Sequence, residues 1–252
     1  MKLTFQSVLQ TIRLIIDQLL PAQCLLCRLA SNNKLICEYC QKTLMIKRPC
    51  CQRCGLSLPA YQAFCGDCLQ QSHLFTQLHA VADYHPPYPY LIKRFKYAKQ
   101  LIYGELLSEL LTQSVLLNIS NRQLAEINYL LPIPLYKQKH RQRGFNQAQI
   151  LAGALAKKLQ IPLLLEAVER HKQTKAQEGL SLQKRKKNLK GAFSITRNQQ
   201  NKLPGSYIVI IDDVVTTGAT VNSLCSVLLQ AGVKRIDVWC ICRTALPTQK
   251  KQ

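Results

Sequence analysis

The sequence predicts an α/β fold, a twisted parallel sheet flanked by helices, preceded by a small cysteine-rich module. Three observations predict it. Runs at Leu78–Tyr84, Asn128–Pro134, Tyr207–Ile211 and Ile236–Cys242 have the composition of strands and alternate with helical patterns. The last two are joined by Ala219–Ala231, where Val221, Leu224, Val227 and Leu228 recur at helical spacing before Gly232, which makes a βαβ unit. Nine of the twelve cysteines fall between Cys24 and Cys68.

With 252 residues, 47% of them apolar, the chain is long enough for one sizeable core plus a small module, and disorder is excluded as its general state. The formal charge is +21 and uneven: Pro132 to Lys202 holds 16 Lys and Arg against Glu166, Glu169 and Glu178. That density predicts an acidic partner, such as pyrophosphate or nucleic acid; a solvated basic face is the plainer account of the Lys184–Lys190 run alone.

Residues 1–20 form the first segment. From Leu3 to Leu20 the apolar residues Phe5, Val8, Leu9, Ile12, Ile15, Ile16 and Leu19 describe an amphipathic helix. Arg13 and Asp17 interrupt any secretory apolar region, and no stretch of 18 uncharged apolar residues occurs. The expectation is a cytoplasmic protein without membrane insertion, whose first helix packs on protein because its polar face holds Gln, Ser and Thr rather than a basic row.

Residues 21–72 carry four C-x-x-C pairs: Cys24/Cys27, Cys37/Cys40, Cys51/Cys54 and Cys65/Cys68. Two thiolates in one tight turn occupy two corners of a tetrahedron around Zn²⁺, and a second such turn closes a structural site. Four pairs imply two zinc ions. Consecutive pairing gives two short zinc ribbons in tandem; interleaved pairing stays open. Disulfides are the competing account, but a reducing compartment argues for metal. Cys50 is then a ninth thiol, spare or standing in for Cys51. Metal binding would supply much of the folding free energy of so small a segment. Cys225, Cys240 and Cys242 sit in the apolar C-terminal unit as packing residues.

The third segment is 78–246. After the strand Leu78–Tyr84, Tyr88–Leu117 reads as mostly helical, and the strand Asn128–Pro134 is forced out of the sheet by its prolines. Lys137, Lys139, His140, Arg141, Arg143 and Gly144 then make a basic loop before the helix Asn146–Leu159. Such a loop between strand and helix is an anion site.

The stretch Tyr207–Thr220 is the most telling. A β-branched strand runs into Asp212 and Asp213, then into a turn with Thr216, Thr217, Gly218, Ala219 and Thr220 that opens a helix. Ligands of open α/β sheets bind beyond the carboxyl ends of the strands, where helix N–H groups welcome an anion. Gly218 lets the backbone approach closely, the threonines add hydroxyl donors, and the two carboxylates accept from vicinal hydroxyls or hold hydrated Mg²⁺. A sugar phosphate fits better than bare phosphate. Helix capping alone would need a single such residue. A nucleoside triphosphatase would need G-x-x-x-x-G-K-[S/T], which the chain lacks.

This stretch resembles the phosphoribosyl-pyrophosphate motif of type I phosphoribosyltransferases. Carried over by position, Asp212 and Asp213 are the ribose-hydroxyl partners and Thr216–Thr220 the loop around the 5-phosphate. Purine-salvage members usually carry Asp where Thr216 stands, so the resemblance points away from purine salvage. More of the chain is similar to the ComF family, associated with competence for DNA uptake. The cysteine pairs, F-K-Y (Phe95–Tyr97), P-I-P-L, R-G-F-N-Q (Arg143–Gln147), G-L-S with R-K-K-N, and D-D-V-V-T-T-G-A-T follow that family's order. The resemblance implies a type I phosphoribosyltransferase fold behind a double zinc ribbon, and phosphoribosyl pyrophosphate with Mg²⁺ as ligand, its pyrophosphate facing Arg141 and Arg143. It also implies a pentosyl-transfer role in nucleoside metabolism, and a mobile covering segment at Gln173–Asn188. The alternative it carries is a non-catalytic protein that binds single-stranded DNA, or other competence proteins, using the same fold as scaffold. Tyr84, Tyr88, Tyr90, Phe95 and Tyr97 are candidate stacking platforms, or simply packing residues.

Overall fold

The computed structural model describes residues 22–46, 48–97, 100–171 and 191–244. The expected first helix and the expected covering segment lie outside the described residues. The chain divides into two compact units, Met1–Ile46 and Lys47–Gln252.

The first unit is organised by its thiols. Cys24–Cys27 forms one knuckle, and the other opens the helix α1 (Glu38–Leu44), where the Cys37 sulfur accepts the N–H of Cys40. Ser31 ties the turn between them by donating to the carbonyls of Ala22, at 2.9 Å, and Lys34, at 2.7 Å.

The second unit begins with the other four-cysteine cluster and the short helix α2 (Gly66–Gln70), then enters the α/β domain. The division of the chain therefore runs through the cysteine-rich module instead of after it. The physical reason is that the second ribbon is hydrogen-bonded to the sheet: Leu78 donates its N–H to the carbonyl of Arg53 at 2.8 Å, and Arg48 pairs with Asp83. Gly55, at φ +66°, sits so close to Leu78 that a Cβ would lie 2.7 Å from its side chain and 3.0 Å from its carbonyl oxygen.

Among the described residues the sheet has four strands, β1 (Gln77–Asp83), β2 (Tyr129–Pro132), β5 (Tyr207–Val215) and β6 (Arg235–Arg243). They lie in the order β1-β6-β5-β2, all parallel. Residues β3 (Val168–Arg170) and β4 (Phe193–Ile195) form a separate antiparallel pair. Ile208 to Ile211 on β5 and Val238 to Cys242 on β6 are almost wholly buried, as strands covered on both faces must be. Cys225, Cys240 and Cys242 are packed into this core, and burial pushes their thiols up, that of Cys225 to about 12.

Helices fill both faces. The region expected to be mostly helical is two helices, α3 (Tyr88–Tyr97) and α4 (Leu101–Asn118), followed by the short α5 (Asn121–Glu126). A Cβ on Gly104 of α4 would fall 2.4 Å from Phe95, so the glycine is what lets α3 lie against α4. The basic stretch expected as a loop is a short helix, α6 (Lys137–Arg143), closed by Gly144 in the left-handed region with its N–H on the His140 carbonyl. Helix α7 (Gln147–Leu159) follows, and α8 (Ala219–Gln230) completes the βαβ unit between β5 and β6. No helix among the described residues is long and apolar enough to cross a membrane.

Candidate functional site

The strand β5 runs four residues beyond the expected Ile211, so Asp212 and Asp213 lie inside the sheet, Asp212 opposite Cys240. Val214 and Val215 continue the pairing with Cys242 and Arg243. Asp213 is buried and Asp212 half-buried. Each carboxylate accepts the N–H of the next residue, Asp212 from Asp213 at 2.8 Å and Asp213 from Val214 at 3.0 Å. Asp213 also forms an ion pair with Lys96 near the end of α3. Desolvation, then the charge on Asp213, push the Asp212 carboxyl up to about 8, against the opposing pull of Lys96. Burial works against the Lys96 ammonium, but Asp213 and then Asp212 outweigh it and hold it above the ordinary lysine range.

Directly after the strand the turn opens. Thr216 is exposed, Thr217, Ala219 and Thr220 are half-buried, and Gly218 is buried at φ +74° as the residue that starts α8. Thr217 accepts the Ala219 N–H through its hydroxyl at 3.4 Å. A helix of 12 residues therefore begins beside the acid pair with its positive end at the turn.

Two sequence motifs meet across this end of the sheet. In F-K-Y, Phe95 is wholly buried against Phe145 at a ring separation of 5.5 Å, Lys96 holds Asp213, and Tyr97 lies under the Arg143 guanidinium at 5.2 Å. In R-G-F-N-Q, Arg143 donates to Gln147 at 3.0 Å. Asn146 caps α7 by accepting from Ala148 at 3.1 Å, and donates to the carbonyl of Ile133 at 3.0 Å. That second bond fastens the motif to the chain leaving β2. The amide nitrogen of Gln147 is buried and has no hydrogen-bond partner among the described residues.

The cations gather on the same side. Burial, then Arg143 and Arg170, and more weakly Lys96, lower the Lys139 ammonium. Burial likewise lowers Arg170, while the charge of Asp212 opposes the shift. Lys96, Lys139, Arg143 and Arg170 thus share one electrostatic neighbourhood with the acid pair. Arg141 is exposed, with no hydrogen bond or ion pair to this group among the described residues. Lys96, Arg170 and Gln147 were not among the residues that sequence reasoning singled out; for Lys96 the signal was its place in F-K-Y.

The cysteines resolve into two sets, Cys24, Cys27, Cys37 and Cys40, and Cys51, Cys54, Cys65 and Cys68, with all sulfurs in a set within 4.8 Å of one another. Pairing is consecutive. The Cys27–Cys37 and Cys54–Cys65 sulfurs are 3.7 and 3.6 Å apart, close to the edge of about 3.8 Å that a tetrahedron with Zn–S near 2.3 Å requires. Burial raises the Cys24 and Cys51 thiols, but backbone N–H groups aimed at their sulfurs win and place them at about 6 and about 7. The donor sets fit two structural zinc ions. Cys50 stays outside the second set, exposed and in an isolated antiparallel bridge with Ser57.

Two domain families match the chain. Residues 15–69 match the double zinc ribbon domain, and 146–252 the phosphoribosyl transferase domain. The chain is 37% identical over 226 residues to the DNA utilization protein YhgH of Escherichia coli K12, covering 89% of this chain and 98% of that one. It is 36% identical over 225 residues to competence protein F of Haemophilus influenzae, covering 88% and 96%. Among solved structures, a purine phosphoribosyltransferase of Pyrococcus horikoshii matches 59% of this chain and 90% of its own at 15% identity and a TM-score of 0.32. The chain belongs to the ComF family, in which a double zinc ribbon precedes a phosphoribosyltransferase domain.

Proposed function

We propose that this protein binds phosphoribosyl pyrophosphate with Mg²⁺ at the carboxyl ends of β5 and β2, within a role in DNA uptake or use such as the names of its relatives describe. One observation carries the proposal. An acid pair on β5 and the start of α8 at Gly218 stand beside four cations drawn from α3, α6 and β3. Asp212 and Asp213 accept from the ribose hydroxyls, Thr216–Thr220 enclose the 5-phosphate, and Arg143 with Lys139 face the pyrophosphate. Arg141 reaches the ligand only from its exposed position on α6. Thiols held for metal fit the cytoplasm.

Mg²⁺, when bound, offsets negative charge on the pyrophosphate. Where transfer takes place, the bond from ribose C1 to the pyrophosphate oxygen breaks with its electron pair leaving on that oxygen, and a lone pair of the acceptor nucleophile forms the new bond to C1. Arg143 and Lys139 then stabilise charge that is greater in the transition state than in the bound ligand.

Calorimetric titration of the full chain tests the assignment. Phosphoribosyl pyrophosphate with Mg²⁺ should bind the wild type and lose about 10- to 100-fold in affinity to Asp213→Asn, the worth of a charge-assisted hydrogen bond. Equal affinities would remove the ribose role.

Single-stranded DNA is a second reading. Of the five aromatic residues considered from sequence, Tyr88 and Phe95 are buried packing residues, whereas Tyr84, Tyr90 and Tyr97 are 40, 46 and 68% exposed. Arg94 and Arg143 lie over the rings of Tyr90 and Tyr97. Exposed rings among cations suit the stacking of bases.

A further inference from the structure

The second ribbon is joined to the phosphate loop through one side chain. Arg243, the last residue of β6, is 2% exposed, and its hydrogen-bond partners among the described residues are all backbone carbonyls. Its Nε donates to Cys54, a thiol of the second cluster, at 3.0 Å. Its Nη1 donates to Val215 at 3.3 Å, to Thr216, and to Thr244 at 2.9 Å. A planar guanidinium has donors on separate edges, so one side chain fixes the knuckle carbonyl and the first residues of the turn in a single rigid frame.

A second strut lies beside it. Asn222, on the first turn of α8, accepts the N–H of Leu74 through its carbonyl oxygen at 3.0 Å. That bond orients the amide so that its nitrogen faces Nδ1 of His73 at 3.1 Å. Nδ1 therefore accepts, and the neutral ring carries its proton on Nε2. Burial, then Arg243 and Arg53, lower the His73 pKa and keep it neutral. The ring stacks on Phe75 at 4.6 Å and lies 3.8 Å from where a Cβ of Gly218 would stand. The segment leaving the second ribbon thus forms one wall of the turn.

We propose that Arg243 is a positioning residue that couples the two sites: metal on Cys51, Cys54, Cys65 and Cys68 and an anion at residues 216–220 each strengthen the other's binding. The anion half rests on the ligand reading given above; the mechanical half does not. A frame shared by two sites has one set of conformations to lose, so whichever ligand orders it first lowers the cost for the other, and the coupling is reciprocal. The first cluster belongs to the other unit and serves as the internal control.

The test uses the full zinc-loaded chain as wild type, Arg243→Met and Arg243→Lys. Hydrogen exchange without ligand should be about fivefold or more faster in Arg243→Met over 214–222 and over 50–56, with 24–40 unchanged. Release of zinc to a chromogenic chelator should slow about fivefold for one of the two ions when phosphoribosyl pyrophosphate and Mg²⁺ are added to wild type, and not in Arg243→Met. Arg243→Lys should restore part of the effect. If Arg243→Met does not fold, Asn222→Ala, which cuts only the second strut, should show the same exchange pattern at smaller amplitude. Unchanged exchange at 214–222 in the variants that fold, or zinc release indifferent to a ligand that binds wild type, overturns the coupling. Should wild type not bind the ligand while exchange accelerates as stated, the ligand reading falls and the mechanical coupling stands.

Discussion

Lys96 and Asp213 form a largely buried ion pair, their side chains 19 and 11% exposed, between the end of α3 and the end of β5. It places a cation on a carboxylate that the ligand is proposed to use, so binding must re-partition the pair.

Breaking it from either side leaves a charge without its partner. Lys96→Met and Asp213→Asn should each destabilise the fold by about 1–3 kcal/mol, below the 3–5 kcal/mol of a fully enclosed pair. The double variant should recover part of that loss. Urea unfolding of the four proteins gives the coupling energy, and strict additivity would deny the pair.

Asp212 sets the pH dependence. Its carboxyl, raised by burial and then by Asp213, binds a proton more tightly in the folded chain than in the unfolded one. Its contribution to stability is therefore present at acid pH and is lost as the pH climbs from the ordinary carboxylate range through about 8. Mg²⁺ binds the ionised form and ribose hydroxyls donate more strongly to it than to the acid, so affinity should rise over the same range, with up to about one proton released at neutral pH. Titration in buffers of differing ionisation enthalpy measures the release; Asp212→Asn should abolish it.

Metal content should separate the cysteines. Wild type and Cys50→Ser should hold two zinc ions per chain, and Cys27→Ser or Cys65→Ser one fewer, by elemental analysis. Loss of an ion from Cys50→Ser would mean that Cys50 replaces Cys51.

Gly218 should resist substitution for a backbone reason. A Cβ there meets only ordinary contacts, the nearest at 3.8 Å, yet φ is +74°. Gly218→Val should cost about 1–2 kcal/mol of stability through the left-handed strain and weaken ligand binding more than it weakens folding. Thermal unfolding compared with binding would show the difference.

The βαβ unit and the two cysteine sets were legible because their signals are local: apolar runs, helical spacing and C-x-x-C knuckles. The short helix α6 was not, since its residues have no apolar periodicity and it closes only on Gly144. The strand β5 read short because acids usually mark a strand's exit, whereas Val214 and Val215 here continue the pairing with β6. Lys96 opposite Asp213, and Arg243 on the Cys54 carbonyl, join residues distant in sequence, and no local pattern encodes such contacts. The sheet register that creates them becomes visible only when the strands are assembled.

Binding to single-stranded DNA should respond to salt and to Tyr97 separately. The logarithm of the affinity should fall with the logarithm of salt at a slope of about −0.7 per phosphate neutralised. Tyr97→Ala should cost about 1–3 kcal/mol at every salt concentration. Asp213→Asn should leave both unaltered. Fluorescence anisotropy with a labelled oligonucleotide is sufficient, and a flat salt profile would exclude the basic face.

A crystal structure of the full chain with phosphoribosyl pyrophosphate and Mn²⁺ in place of Mg²⁺ is the most direct measurement. The 5-phosphate should lie among the N–H groups of residues 216–220, with the ribose hydroxyls on Asp212 and Asp213 and the anomalous Mn²⁺ peak beside the pyrophosphate. Ligand density elsewhere on the protein, with Lys96 still closed on Asp213, would contradict the account.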